Sequence, residues 1–270
     1  MSRILKIISG IAGKAGLEIR RSKKRESPTR LQAFEELISQ IDGVDPSLTR
    51  YSTYKATELA VRSETPGDFV ECGVFMGWQV MIMAATLLKM GSTDREIYLY
   101  DTFTGMTEPD ENDFNTIRGS NPTDVHRHWH SAQTTAHNTW GYASIDHVKG
   151  NLAKTGYPME RFHFVQGDVM ETIPNSDHER IALLRLDTDW YKSTKHELEN
   201  LYPKVSTGGI IICDDYVAWG GARKAIDEYF RERVPSDHYV ENLFHWAGGD
   251  KVFLKTKISR ELRGSLEGSN

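Results

Sequence analysis

Short, nearly continuous apolar runs alternate with longer amphipathic segments from Gly67 onward, and no other feature of the 270-residue chain constrains its fold more strongly. Strands that are apolar on both faces are typical of a parallel sheet covered by helices on both sides. The pattern therefore predicts an α/β fold, with a terminal hairpin formed by HYVENL and KVFLKT. Strands are predicted at 68–74, 96–101, 161–168, 181–187 and 208–215, and helices at 78–90, 143–155, 193–202 and 221–233.

The charge is distributed unevenly along the chain. The net charge of −5 argues against nucleic acid as a partner. Residues 1–30, however, contain nine Lys and Arg but only two Glu, which gives this arm +7 and the remainder −12. Ile4, Ile8 and Ile11 follow helical spacing within it. We expect this basic amphipathic arm to pack on the body or on a second subunit of a homodimer or higher homo-oligomer, or to make a peripheral membrane contact.

Cysteine usage and hydropathy predict a cytoplasmic protein. The two cysteines, Cys72 and Cys213, both end apolar runs, which is not the pattern of a disulfide scaffold. No run reaches the roughly 20 apolar residues of a membrane span. The amino-terminal stretch is interrupted by Lys6 and lacks a clear cleavage site, so a secretory signal is not predicted.

A glycine-containing turn and a later aspartate suggest a nucleoside site. ECGVFMG (71–77) ends the first predicted strand, and its glycines would let a ligand approach the backbone. Asp101 ends the second strand, 28 residues after Gly73, where an acid can accept the two hydroxyls of a ribose. The turn lacks the full G-x-G-x-x-G pattern, which disfavours a nicotinamide cofactor. A tight turn and a helix N-cap are the plainer interpretations.

Four aspartates follow two apolar runs directly. Asp187 and Asp189 end LLRLDTD, and Asp214 and Asp215 end GGIIICDD. The 27-residue separation between Asp187 and Asp214 predicts adjacent strands joined by one helix, with their ends side by side. Carboxylates packed so closely repel one another unless a cation lies between them, which favours Mg²⁺. Helix caps and solvated loop acids are the alternative.

The segment from Thr102 to Trp140 is polar and long, which predicts either a lid over the site or a disordered insertion. It contains His126, His128, His130 and His137. Zinc binding is one interpretation, weakened because no cysteine is near and H-x-H-x-H on a loop is not a closed structural pattern. Contact with the substrate is a more favoured interpretation, and ordinary surface histidines are the simplest.

Five stretches occur in an order that identifies a family resemblance. They are GDFVECGVFMG, LYDTFTGMTEPDENDF, HVKGNLAKTGYPMERFHFVQGDVMETIP, LLRLDTDWYKSTKHELENLYPKVSTGGIIICDDY and ARKAIDEYF. Over roughly residues 49–233 the chain resembles the macrocin O-methyltransferase (TylF-like) family of sugar O-methyltransferases, which use S-adenosylmethionine and a metal ion. The resemblance implies a class I methyltransferase (Rossmann-like) fold with a doubly wound, mostly parallel sheet. It also implies a domain at 31–258 with a lid at 102–140, an arm at 1–30 and a tail at 259–270.

The resemblance also assigns roles to individual residues. It implies that Asp189 is the general base and that the remaining residues fall into cofactor and metal groups. The cofactor group is Glu71, Gly73 and Gly77 at the methionine end, Asp101 at the ribose and Asp168 at the adenine; the metal group is Asp187, Asp214 and Asp215. One departure is Trp78, which stands where the family usually has a second glycine and is expected to crowd the helix start.

These residues suit methyl transfer to a sugar hydroxyl. A divalent cation lowers the pKa of an alcohol, Asp189 would take the proton, and the oxygen would attack the methyl group. The acceptor could be a natural-product glycoside, a glycolipid or a polysaccharide. The main alternative is a metal-dependent glycosyltransferase that uses D-x-D and a nucleotide sugar. A haloacid-dehalogenase phosphatase, which the short spacing disfavours, and a non-enzymatic cofactor-binding module are further alternatives.

Overall fold

Seven strands form a single sheet in the part of the chain that the computed structural model describes, residues 28–41, 43–45, 47–243 and 249–256. The strands are β1 Asp68–Cys72, β2 Ile97–Asp101, β3 Phe162–Gln166, β4 Ile181–Leu186, β5 Val205–Cys213, β6 Tyr239–Glu241 and β7 Lys251–Lys255. The helices are α1 Pro28–Ser39, α2 Leu48–Arg62, α3 Trp78–Lys89, α4 Pro122–Ser131, α5 Ile145–Ala153, α6 Val169–Thr172, α7 Tyr191–Leu201 and α8 Gly220–Arg233.

The strand order is β3-β2-β1-β4-β5-β7-β6. The first five positions are parallel, and β7 pairs antiparallel with both β5 and β6. The predicted α/β fold, with a doubly wound, mostly parallel sheet and a terminal antiparallel hairpin, is confirmed. The order reverses between β1 and β4, so the carboxyl ends of these strands border a crevice where such sheets bind ligands.

Two apolar layers cover the faces of the sheet. On one face Phe69 and Ile210 belong to a cluster with Ile82 of α3. On the other face, Val70 and Ile211 pack in a cluster that contains residues of α7 and α8. Every residue of β4 is buried. The near-continuous apolar runs of the sequence therefore correspond to strands that are covered on both sides.

Four helices were not predicted, namely α1, α2, α4 and the short α6. The segment Thr102–Trp140 is ordered around α4, so a disordered insertion is the wrong alternative for it. Most of the basic arm and the whole tail lie outside the described residues, and predictions about them remain predictions. Cys72 and Cys213 are buried free thiols. None of the helices in the described ranges combines the length and apolar character needed to cross a membrane.

Candidate active site

The carboxyl ends of β1, β4 and β5 place three residues of the predicted site in one row. The register pairs Cys72 with Leu186 and aligns Leu186 with the end of β5, so Gly73, Asp187 and Asp214 follow side by side. The backbone ladder continues past the strand ends. Asp187 N donates to Cys72 O at 2.8 Å, and Asp214 N donates to Leu186 O at 2.9 Å. The two aspartate pairs therefore meet at one edge of the sheet.

Gly73 meets two geometric demands at the end of β1. Its φ of 80° lies in the left-handed region, which glycine enters without steric cost. A Cβ at this position would lie 2.0 Å from the carbonyl oxygen of Asp187. Any side chain at position 73 would therefore push against the backbone from which Asp187 projects.

Asp187, Asp214 and Asp215 each present one carboxylate oxygen, and these three atoms lie within 4.8 Å of one another. Asp215 has a φ of 52°, and its N–H donates to Asp214 Oδ1 at 2.9 Å. Carboxylate oxygens are the ligands that hard cations such as Mg²⁺ prefer. The three predicted metal ligands are close enough to share one ion.

Arg185 lies directly beneath this cluster and was missed by sequence reasoning. Its side chain is fully buried in β4. Its Nη1 donates to Glu71 Oε1 at 2.7 Å and to Asp187 Oδ2 at 2.6 Å, and its Nη2 donates to Asp214 Oδ2. The sequence signal was a charged residue inside an otherwise apolar strand, since an arginine there requires buried partners. Arg185 supplies part of the positive charge that the aspartates require.

The remaining negative charge exceeds what one guanidinium can balance. Asp189 Oδ1 and both carboxylate oxygens of Asp250 are buried without a hydrogen-bond donor among the described residues. Burial raises the pKa of Asp187 and of Asp189 well above the usual range, and the neighbouring carboxylates raise both further. Burial, followed by repulsion from Asp214, raises the pKa of Asp250 to about 11. A second positive charge would allow these groups to ionise together.

A cavity of about 220 Å³ opens beside the aspartates. Five residues of the predicted site line it, namely Gly73, Asp101, Asp168, Asp187 and Asp189. Cofactor-group and metal-group positions therefore share one cavity, as expected of neighbouring strand ends.

Asp101 and Asp168 both accept hydrogen bonds from backbone N–H groups at the rim of this cavity. Asp101 Oδ2 accepts from the N–H groups of Val74 and Phe75 at 2.7 and 3.1 Å, so it fixes the turn after β1. Asp101 Oδ1 accepts from Phe103 N at 2.7 Å. Asp168 caps α6. These contacts give both residues structural roles, which do not exclude a ligand because a carboxylate oxygen has more than one acceptor site.

Glu71 and Gly77 lie apart from the residues that line the cavity. Glu71 is buried against Arg185; burial raises its pKa to about 7 although Arg185 opposes the shift. Gly77 caps α3 with a φ of 78°. Trp78, which was expected to crowd the start of this helix, packs its ring edge-on against Phe75, with a ring-centre distance of 5.5 Å. The cofactor roles of Glu71 and Gly77 remain predictions.

The Thr102–Trp140 segment is anchored to the start of α7, directly after Asp189. Trp190 Nε1 donates to Thr107 O at 3.0 Å, and Tyr191 N donates to Asp113 Oδ1 at 2.8 Å. Asp113 is only 1% exposed, so this contact is internal. Thr107 and Trp140 both line the cavity, and the ring of Trp140 packs on those of Trp190 and Trp219. The segment thus forms one wall of the site.

Glu197 supports the turn between the paired aspartates and was also missed. It is fully buried in α7. Thr188 Oγ1 donates to Glu197 Oε1 at 2.8 Å, while Glu197 Oε2 is buried without a partner in the described chain. Burial raises the pKa of Glu197 to about 8. The sequence indicated this residue only through a glutamate at a helix position that faces the sheet.

The chain matches a family of known proteins over most of its length. A family model described as Macrocin-O-methyltransferase (TylF) matches residues 50–243. The 8-demethyl-8-(2,3-dimethoxy-alpha-L-rhamnosyl)-tetracenomycin-C 4'-O-methyltransferase of Streptomyces olivaceus is 33% identical over 172 residues, which cover 64% of this chain and 61% of that protein. The Mycinamicin III 3''-O-methyltransferase of Micromonospora griseorubida is 30% identical over 184 residues, 68% of each chain.

The match is partial in sequence but extensive in fold. The chain spans about three fifths of the length of the first two curated relatives that it matches. Among solved structures, the O-methyltransferase NovP superposes with a TM-score of 0.65 at 24% identity, covering 94% of this chain and 97% of that chain. The calicheamicin methyltransferase CalS11 gives a TM-score of 0.54 at 22% identity, covering 86% and 94%. At these identities the solved structures show a shared fold.

Proposed function

The chain belongs to the macrocin O-methyltransferase (TylF) family, and we propose that it transfers the methyl group of S-adenosylmethionine to a hydroxyl of a sugar, with Mg²⁺ or another divalent cation. The observation that carries this proposal is the convergence of Asp187, Asp214 and Asp215 beside a cavity that Asp101 also lines. The family match does not favour the alternative of a metal-dependent glycosyltransferase.

A sugar acceptor is supported by the relatives' names. One relative is named for a compound that carries a dimethoxy-rhamnosyl group, and it is 33% identical to this chain. The cavity wall that includes Trp140 suits such an acceptor, because an aromatic face offers a sugar ring apolar contact. A small-molecule glycoside and a larger glycan are both compatible with a cavity that opens at the sheet edge.

The donor set fits a divalent cation. Three carboxylate oxygens within 4.8 Å of one another are hard ligands, and buried oxygens of Asp189 and Asp250, which have no partner in the described ranges, lie nearby. Asp187, Asp214 and Asp215 would hold the ion. When bound, the cation supplies Lewis acidity that eases removal of a proton from an alcohol.

Asp189 is the residue proposed to accept that proton. It lines the cavity, and its Oδ1 has no donor among the described residues. Its φ of 67° is uncommon for aspartate, and backbone strain of this kind is found most often at functional positions. Burial, followed by the charges of Asp215 and Asp187, raises its pKa. A carboxylate with a raised pKa is a better general base than a solvated one.

The cofactor would occupy the side of the cavity formed by the β1 turn and the ends of β2 and β3. Gly73 and Gly167 leave backbone surface exposed there, and Asp101 and Asp168 mark its acidic rim. Glu71 Oε2 is a buried acceptor without a partner among the described residues, and although Glu71 does not line the cavity, its predicted role at the methionine end stays part of the proposal. When bound, S-adenosylmethionine supplies an electrophilic methyl group on a sulfonium.

A methyl-uptake assay tests the proposal. Protein supplied with labelled S-adenosylmethionine and Mg²⁺ should methylate at least one member of a panel of glycosides. Asp189→Asn should retain calorimetric affinity for S-adenosylhomocysteine while the chemical rate falls about 10²- to 10⁴-fold, the usual contribution of a positioned base. Failure to bind S-adenosylhomocysteine would refute the proposed function. Equal rates for Asp189→Asn and wild type would refute the assignment of the base.

A further inference from the structure

A second group of potential metal ligands lies outside the aspartate cluster. Two of its members are on α4, and the third, Glu108, precedes that helix in the chain. His126 and His130 are one helical turn apart, so their side chains share a face. Their ring centres are 5.4 Å apart, and His126 Nε2 lies 3.7 Å from Glu108 Oε1. One ligand atom from each of the three residues lies within 4.8 Å of the other two. His128 contacts Trp140 instead, with a ring-centre distance of 4.4 Å.

We propose that Glu108, His126 and His130 bind a transition-metal ion such as Zn²⁺. Two imidazoles and one carboxylate form a donor set for borderline ions, whereas the oxygen-only aspartate cluster suits Mg²⁺. The H-x-H-x-H motif did not show this, because the third ligand comes from a different part of the chain. The proposal goes beyond the proposed function and does not depend on it.

The two elements that carry these ligands are already held together. Trp129 Nε1 donates to Met106 O at 2.8 Å, which ties α4 to the stretch before Glu108. A capping box between Asn121 and Asp124 fixes the start of α4. Neither contact uses a proposed ligand, so the backbone arrangement does not require the metal. An ion would therefore bind a largely preformed site at a small ordering cost.

Small side-chain movements would complete the coordination. Zinc lies about 2.0–2.2 Å from nitrogen and oxygen ligands, so tetrahedral ligands are about 3.3 Å apart. The present 3.7 Å contact is slightly wider. His126 is 36% exposed and Glu108 59% exposed, which leaves both side chains free to rotate inward. Three protein ligands leave a fourth position for water or for a polar group of an acceptor.

The site would stiffen one wall of the cavity. Met106 and Thr107 line the cavity and directly precede Glu108 in the chain. A metal bound to Glu108, His126 and His130 would cross-link this stretch to α4. The ion is thus expected to act on the wall by restricting its motion rather than by entering the chemical step.

Zinc titration of chelator-stripped protein in excess Mg²⁺, followed by competition with a chromophoric chelator, tests the proposal. Wild type should bind a zinc ion that His130→Gln and His126→Gln bind more than about 100-fold more weakly, since even indirect support of a ligand is worth about 10- to 100-fold. His128→Gln is the matched control on the same helix and should retain wild-type affinity. Circular dichroism of the metal-free variants should match that of wild type.

Cobalt provides a second readout that does not involve catalysis. Co²⁺ added to wild type should give the visible absorption of a four-coordinate site with nitrogen ligands, and His130→Gln should lose it. The proposal is overturned if wild type and the double variant His126→Gln/His130→Gln take up zinc with equal affinity. It is also overturned if His128→Gln loses zinc as severely as His130→Gln does.

Discussion

Arg185 determines how much charge the aspartate edge can tolerate. Its guanidinium contacts Glu71, Asp187 and Asp214 from a fully buried position. Burial disfavours ionisation of Asp214, but Arg185 and the hydrogen bonds that Asp214 accepts, including the one from Asp215 N, together outweigh it and lower the pKa of that carboxyl. Arg185 therefore helps to keep at least one metal ligand ionised before any cation binds.

Replacing Arg185 with methionine should destabilise the fold. Removing one partner of a buried ion pair leaves uncompensated charge and costs about 3–5 kcal/mol. We expect urea denaturation at pH 7 to show a loss of this size in the free energy of unfolding. Arg185→Lys, which retains the charge but not the fork of donors, should lose less. A cost below about 1 kcal/mol for Arg185→Met would contradict the role assigned to this residue.

The sequence predicted the acids that directly follow β4 and β5 but not Asp250, Glu197 or the counter-charge of Arg185. Acids that end apolar strands are visible in a sequence because both the strand and its end can be read locally. Arg185 is part of the apolar run itself, and its three partners come from β1 and from the ends of β4 and β5. Asp250 lies just before β7 and is brought beside Asp214 only by the antiparallel return of the chain. Such long-range neighbours leave no local pattern.

Among the secondary-structure elements, the turn after β1 packs closely against the turn after β4. Gly73 makes room for the backbone of Asp187. Asp101, at the end of β2, fixes the same turn through Val74 N and Phe75 N. Three strand ends are therefore coupled through one glycine.

Gly73→Ala should disturb the aspartate edge more than a matched glycine substitution elsewhere. Gly91 has a similar φ of 72°, but no atom of the described part of the chain lies within 4 Å of a Cβ there, so Gly91→Ala isolates the cost of the left-handed backbone, about 1–2 kcal/mol. Gly73→Ala adds the collision with Asp187 O. We expect a larger loss of stability for Gly73→Ala by thermal unfolding, together with weaker Mg²⁺ binding. Equal losses in the two variants would show that the close approach is unimportant.

The elements that the sequence predicted are those with a continuous apolar signal. All five parallel strands lie within three residues of their predicted bounds, because burial on both faces leaves an unbroken run. Helix α4 was missed because Val125 is its single buried residue. Helix α2 was missed because its apolar positions are interspersed with polar ones such as Thr53 and Thr57, which are buried here. Tertiary packing maintains α2. Helix α4 instead depends on its capping box and on polar contacts such as that of Trp129 Nε1 with Met106 O.

Buried carboxyls make the folding stability of the protein depend on pH. Burial raises the pKa of Asp113 to about 6, that of Glu71 to about 7 and that of Glu197 to about 8. The folded state therefore binds more protons than the unfolded chain between about pH 4 and 8. The contribution of these three groups to stability is therefore greatest below their unfolded pKa values and is lost as pH rises through the folded ones.

Glu197→Gln should reduce the loss of stability that accompanies rising pH. Glutamine can still accept the hydrogen bond from Thr188 Oγ1 but carries no charge to bury. Urea denaturation with chelator present should show nearly equal stability for both proteins below pH 4.5. The variant should gain relative to wild type by up to about 1.4 kcal/mol for each pH unit toward 8. Glu199→Gln, an exposed change on the same helix, is the control. If the stability of Glu197→Gln falls with pH as steeply as that of wild type, Glu197 does not have the raised pKa assigned to it.

The proposed chemistry depends on a divalent cation held by Asp187, Asp214 and Asp215. The most direct test is to titrate Mn²⁺, as a paramagnetic stand-in for Mg²⁺, into chelator-stripped protein and to follow the free ion by electron paramagnetic resonance. We predict a site in wild type that Mg²⁺ displaces and that is lost in Asp187→Asn and Asp214→Asn but retained in the exposed control Asp146→Asn. Equal Mn²⁺ uptake by wild type and both aspartate variants would contradict the central claim.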